Sequence, residues 1–224
     1  MDRFHIEYFE YIMAYGDIDN EIFDFYFYPG DIRSELEGLE LVKFREKFIG
    51  EMKQYCPIIY SITLAGFVIP YDEKNPDKLE IDFGSKIYKI KRRKIRINNA
   101  ENYEEKNHKK IGKLNSGGSC ITIQNIKNFS EIMLFEDLKN KTFDLYCYPC
   151  IPREIDDIYG HAAMDEFFNI IIGELEKYDP EVYGVTYTIF AIPHSEDNPE
   201  CLLISYKSKV YRISKRIVTI DNML

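Results

Sequence analysis

The sequence contains no tryptophan, only five cysteines, and no apolar run that approaches the length of about 18 residues needed for a membrane-spanning helix. Residues 1–5 also lack the basic and then apolar pattern of a secretory signal. The cysteines are too few and too unevenly spaced for a disulfide framework, which favours a reducing compartment. We therefore expect a cytoplasmic protein with no membrane contact.

Charge of one sign predominates, because 38 acidic residues outnumber 29 basic ones and give a net charge of −9. The bases are concentrated: residues 83–98 hold seven bases and no acid. An acidic chain makes a general nucleic-acid binder unlikely and is compatible with a basic protein partner.

The chain carries an internal repeat. Residues 23–29 return at 143–149 with an offset of 120, and residues 48–99 match 171–222 at 22 of 52 positions with an offset of 123. This similarity predicts a tandem duplication. We expect a first repeat domain at 1–97, a flexible polar linker at 98–119 and a second repeat domain at 120–224.

Periodicity predicts the same order of elements, α-β-α-β-β-β, in each repeat. Helical spacing predicts short helices at 6–13 and 126–133 and longer helices at 41–52 and 164–175. Strict alternation is found at 23–28 and 79–83, and long apolar strands at 58–69 and 182–192. The last two strands surround a basic bend at 91–94 or 214–216. The expected fold class is α+β, in which each repeat forms an antiparallel or mixed sheet with helices packed against it.

One motif suggests thiol chemistry. Cys147 and Cys150 have the Cys-x-x-Cys spacing of thiol–disulfide oxidoreductases, after a predicted strand. The repeat places Cys147 where Phe27 stands, which favours a small buried hydrophobic residue. The remaining cysteines and the four histidines are scattered, so we expect no metal and no cofactor.

Two histidines are candidates for acid–base chemistry. His161 and His194 have the appropriate side chain, but neither is paired in sequence with a nucleophile, and Tyr71 stands at the position of His194 in the first repeat. The alternative is that both are ordinary solvated residues. An enzyme whose site lies between the repeats, with Cys147, Cys150, His161 or His194, is the second functional hypothesis.

The basic bends are candidates for phosphate contacts. In the first repeat the bases are Lys89, Lys91, Arg92, Arg93, Lys94 and Arg96. The alternative is a charged edge that discourages pairing between sheets. The acidity of the surrounding chain favours the alternative, so nucleic acid ranks third.

The repeats differ most in charge along the longer helix. Residues 154–176 hold seven acids and no base, whereas the equivalent 31–53 hold six acids and five bases. Opposite the apolar stripe of this helix lie Asp165, Glu166, Asn169, Glu176 and, among them, Ile170. An apolar side chain within an acidic field is typical of a protein interface, although a solvated face with one stray isoleucine is equally open.

These observations favour a non-enzymatic, acidic protein-binding module. Its predicted contact residues are those of the acidic helix together with Tyr146 and Tyr148, if these tyrosines are exposed. A small acidic protein without catalytic motifs is similar in type to immunity proteins and antitoxin-like inhibitors, although no family motif is matched. The predicted partner is a basic protein such as a toxin.

Overall fold

The computed structural model describes residues 6–9, 12–13, 21–27, 35–62, 66–99, 126–129, 132–133, 141–147, 155, 157–186 and 189–222. We call the described residues up to 99 the first half and those from 126 the second half. The chain is a mixed α and β protein in which strands predominate.

The elements of the first half are β1 (Glu7–Tyr8), β2 (Glu21–Phe27), α1 (Gly38–Met52), β3 (Tyr60–Ile62), β4 (Gly66–Pro70), β5 (Lys78–Phe83) and β6 (Lys86–Asn99). The elements of the second half follow in the same order. They are β7 (Lys127–Asn128), β8 (Lys141–Cys147), α2 (His161–Leu175), β9 (Tyr183–Thr186), β10 (Ile189–Pro193), β11 (Cys201–Tyr206) and β12 (Lys209–Asn222).

A single continuous sheet runs through both halves in the order β1-β3-β4-β2-β6-β12-β8-β10-β9-β7, and β5 and β11 pair with the other ends of β6 and β12. The outermost pairs, β1 with β3 and β7 with β9, are parallel, and the other pairs are antiparallel. The sheet is therefore mixed, which was one of the two expected forms.

The halves meet along β6 and β12. Arg96 pairs with Thr219 at the centre of this ladder, and the pairing extends to Arg93 with Asn222 and to Asn99 with Arg216. The two arginines also reach across, because Arg93 Nη1 donates to the carbonyl of Met133 at 2.7 Å and Arg216 Nη1 to that of Met13 at 2.9 Å.

This pairing bears on the expected linker. Asn98, its first residue, belongs to β6 and pairs with Ile217 in β12. Residues 100–119 lie outside the described residues, and the division into two domains stays a prediction.

Each helix covers one face of the sheet with the apolar stripe that its sequence predicts. The buried residues of α1 are Phe44, Phe48, Ile49 and Met52. Those of α2 are Ala163, Phe167, Phe168, Ile171, Ile172 and Leu175. The inward residues of the neighbouring hairpins complete the two cores, with Leu79, Ile81 and Ile90 in the first half and Leu202, Ile204 and Ile213 in the second. These helices expose only their polar faces and a few apolar side chains to solvent.

Three predictions about the elements were wrong. The apolar segments 58–69 and 182–192 each contain two paired strands, not one. Most of their described strand residues are buried on both faces, so the sequence lacks the alternation that would mark a hairpin. At Gly66 the hairpin needs glycine, since a Cβ there would lie 2.8 Å from Phe25 Cε2.

Residues 7–8 and 127–128, assigned to helices, are short strands before helical residues. The basic segment 91–94 lies within β6; the bend is at Gly84, whose φ is +66°.

Candidate functional site

The acidic face of α2 is solvated and partly charge-compensated. Asp165 is exposed, and Glu176 is half-exposed. Glu166 accepts a hydrogen bond from the Tyr206 hydroxyl at 2.7 Å and lies 3.5 Å from Lys207 Nζ. The tyrosine hydrogen bond, followed by the charge of Lys207, lowers the pKa of Glu166. This face is therefore anionic, with one of its acids held in place by the β11–β12 hairpin.

Ile170 and Asn169 are less available than the sequence suggested. Ile170 is half-buried and packs against the core of the second half, so it does not project as a free contact residue. Asn169 is also half-buried, and its Oδ1 has no hydrogen-bond partner within the described part of the chain. Both side chains are more buried than their positions on an ideal helical wheel predict.

Tyr146 cannot serve as a surface contact. It is fully buried, and its hydroxyl donates to the carbonyl of Pro199 at 2.8 Å. Burial, and then the negative charge of Asp144, raise the pKa of Tyr146. Tyr26 makes the same bond to Pro76 at 2.7 Å. The predicted contact role of Tyr146 was therefore wrong, because alternation along this strand continues on a second buried face.

The thiol motif is only partly described. The backbone of Cys147 ends β8 and pairs with Ile189 and Ser214. Tyr148 and Cys150 lie outside the described residues, so the redox hypothesis stays untested. Cys56 and Cys201 are free thiols.

A buried polar cluster lies beneath the turn that precedes β5. Asp24 has no exposed surface, and its Oδ2 accepts from Asn75 Nδ2 at 2.7 Å. Arg92 lies 3.5 Å from the same oxygen, donates to the carbonyl of Asn75 and pairs with Asp77 at 2.7 Å. Burial outweighs these favourable contacts and raises the pKa of Asp24. The cluster fixes the turn to the sheet by hydrogen bonds from Asn75 and Arg92.

The second half contains a corresponding cluster with one important difference. Asp144 Oδ2 accepts from Asn198 Nδ2 at 2.7 Å, and Lys215 Nζ donates to the carbonyl of Asn198 at 3.2 Å. Here Oδ1 lies 2.7 Å from Nδ1 of His194, whose side chain is 32% exposed. Because a carboxylate oxygen accepts, Nδ1–H is the donor of this bond, and Nε2 is the ring nitrogen left for another partner.

Sequence reasoning named His194 but missed its partner. The signal was present in the repeat, since Asp24 and Asn75 return as Asp144 and Asn198. Asp144 and His194 are 50 positions apart in the sequence, and only the pairing of the strands shows that they are in contact. The other candidate, His161, is the exposed first residue of α2. Among the described residues, no group of three histidine, cysteine, aspartate or glutamate side chains is arranged to hold a metal ion.

The basic residues of β6 are divided between internal and exposed roles. Arg92 is buried in the polar cluster, Arg93 stacks over the ring of Phe27 at 4.2 Å, and Lys94 lies 4.3 Å from the centre of the Tyr71 ring. Lys89, Lys91 and Arg96 are exposed. Three of the six basic residues proposed to contact phosphate therefore contact other groups of the protein instead.

Comparisons with protein-family models, with curated proteins and with solved structures find no match to this chain. Of the helices that the structure describes, none has both the length and the apolar character required to cross a bilayer.

Proposed function

We propose that this chain is a non-enzymatic cytosolic protein-binding module, of the immunity or antitoxin type, whose acidic α2 face holds a basic protein partner. The observation that carries the proposal is the contrast between two helices that occupy corresponding places. Asp165 and Glu166 in α2, and Glu176 directly after its last residue, stand where the first half has Val42, Lys43 and Lys53. We ascribe the contrast to a tandem duplication after which the second copy acquired the binding surface.

The expected contribution of these acids is electrostatic steering. Exposed charges attract an oppositely charged partner over a Debye length of about 10 Å at 0.1 M salt and raise the association rate more than the final affinity. Glu174 is partly neutralised by its ion pair with Lys177, and Glu166 by Lys207. Asp165 and Glu176 are thus the principal steering charges. Ile170 contributes to folding and not to binding, because it packs inward.

The test begins with purification of the tagged full-length chain from its own cells, followed by identification of any basic protein that is retained in stoichiometric amount. Replacement of Asp165, Glu166 and Glu176 by lysine should then slow association with that protein, and the difference should shrink as salt rises. The matched control replaces Glu40, Glu46 and Glu51 of α1 by lysine, which changes the net charge of the protein by the same amount. Equal association rates for the two triple variants would exclude the α2 face.

A second candidate is an acid–base enzyme, and the His194–Asp144 pair favours it. A buried carboxylate that accepts from Nδ1 of a partly exposed histidine is the arrangement used by general bases. The discriminating variant is His194→Tyr, which introduces the residue found at position 71. If the variant loses a chemical activity while it binds the retained protein as wild type does, the enzyme hypothesis replaces the binding one.

A further inference from the structure

The outer edges of β5 and β11 occupy corresponding places in the two halves. Each strand pairs on one side, β5 with β6 and β11 with β12, and no other strand of the described residues pairs with either. Each hairpin closes over a two-residue turn, with Tyr206 opposite Lys209 in the second half. Such a closing pair is hydrogen-bonded, so the backbone groups of Cys201, Leu203 and Ser205 point away from β12.

The edge in the first half is protected. Its outward residues are Lys78, Glu80 and Asp82, all charged and exposed, and Lys78 pairs with Glu80 at 2.9 Å. In addition, Lys47 Nζ from α1 donates to the backbone carbonyl of Asp82, one of the groups on the open edge. Charged side chains and a capped carbonyl are features that natural sheets use to prevent pairing with another chain.

The edge in the second half has lost both forms of protection. Cys201, Leu203 and Ser205 replace the three charged residues, and Ile170, which has no donor group, replaces Lys47. Leu203 is 51% exposed, and Val210 in β12, which lies diagonally opposite Leu203 in the hairpin, is 64% exposed. An unprotected edge with apolar side chains on its outer face is suited to pairing with another strand.

We infer that β11 is a self-association site, at which the chain forms a dimer by antiparallel pairing of β11 with β11 of a second copy. Charge complementarity selects this occupant. The residues just before β11 are acidic, with Glu196, Asp197 and Glu200, and the residues just after it are basic, with Lys207 and Lys209. Within the chain Glu200 also pairs with Lys215, and Lys207 lies 3.5 Å from Glu166. Antiparallel pairing places the acidic end of each strand beside the basic turn of the other. Pairing centred on Leu203 also sets the two Leu203 side chains directly opposite one another.

Sedimentation velocity of the full-length chain under reducing conditions tests the inference. We expect a monomer–dimer equilibrium that depends on protein concentration. Leu203→Glu restores the residue type of Glu80 and opposes two carboxylates at the centre of the pair, so the dissociation constant should rise at least about tenfold. The control, Glu80→Gln, should leave the equilibrium unchanged.

Cysteine cross-linking locates the contact. In a chain carrying Cys201→Ser, mild oxidation of Leu203→Cys should give a covalent dimer, because opposed residues in paired strands have the separation that a disulfide requires. Glu80→Cys should not. A chain that remains monomeric at every concentration overturns the inference, as does a dimer that Leu203→Glu leaves intact. A monomer that binds only strands of other proteins would assign the edge to a different occupant.

Discussion

Nδ1 of His194 lies 2.7 Å from Oδ1 of Asp144, a carboxylate with no exposed surface. In the first half Tyr71 replaces the histidine, and Oδ1 of Asp24 has no hydrogen-bond partner among the described residues. There the carboxylate instead has Arg92 at 3.5 Å. The two halves thus place different groups beside a similar buried carboxylate, a guanidinium in the first half and an imidazole in the second.

The pair predicts the effect of removing the histidine. His194→Ala should lower the free energy of unfolding by about 1–3 kcal/mol, because a buried carboxylate oxygen loses its only described donor. Urea denaturation at pH 7 measures the change. His161→Ala, at an exposed position, is the control and should change the stability by less than about 0.5 kcal/mol. Similar losses for the two variants would contradict this account.

The reverse exchange should stabilise the first half. Tyr71→His places an imidazole where it can donate to Oδ1 of Asp24, which has no hydrogen-bond partner in the described part of the chain, and we expect a gain of about 1 kcal/mol in the free energy of unfolding. The exchange removes the contact of Lys94 with the Tyr71 ring. Tyr71→Phe retains a ring at this position and is therefore the control. If Tyr71→His is less stable than Tyr71→Phe, the Oδ1 site does not accept the imidazole.

The Tyr206–Glu166 hydrogen bond predicts a pH-dependent stability. Since the bond lowers the pKa of Glu166 from its ordinary 4.5, its contribution is fully present above that value and is lost as pH falls through the lowered pKa. Tyr206→Phe, which copies Phe83 of the first half, should therefore cost less than about 1 kcal/mol at neutral pH, given the exposure of Glu166. The stability difference should shrink in acid to the part that the hydrogen bond from the same hydroxyl to the carbonyl of Ala163, at 3.0 Å, contributes at every pH. A difference that grows as pH falls would refute the assignment.

The sequence predicted the helices and most strands because these have one buried face. Phe44, Phe48 and Met52 recur at helical spacing, and the alternation of Leu79 and Ile81 is that of a half-exposed strand. The prediction failed where both faces are buried. Tyr26 and Tyr146 alternate with phenylalanine or leucine as surface residues would, yet both lie in a core, with their hydroxyls satisfied by proline carbonyls.

The candidate site was predictable only in part. The acidic helix could be found from charge alone. The open edge of β11 could not, since its significance depends on which strands pair and on Lys47 reaching Asp82 from another element. Long-range pairing of this kind leaves no periodic signal in the sequence.

The shared β6–β12 ladder makes a prediction about the two halves. A specific protease site introduced within residues 106–113 and cleaved in the folded protein should leave fragments that co-elute under native conditions, because seven residue pairs and two arginine–carbonyl bonds join them. Denaturant should separate the fragments. This tests whether the halves are independent domains or parts of one sheet.

Val218→Asp makes the same experiment sharper, because it buries an unpaired carboxylate within the ladder, opposite Ile97. After cleavage, the fragments of this variant should separate without denaturant. Lys91→Asp is the matched control: it lies on β6 outside the ladder, is exposed, and faces Lys78 across the hairpin. Its fragments should remain together. Two wild-type fragments that elute separately, each folded by circular dichroism, would show that the halves are independent and that the ladder contributes little to holding them together.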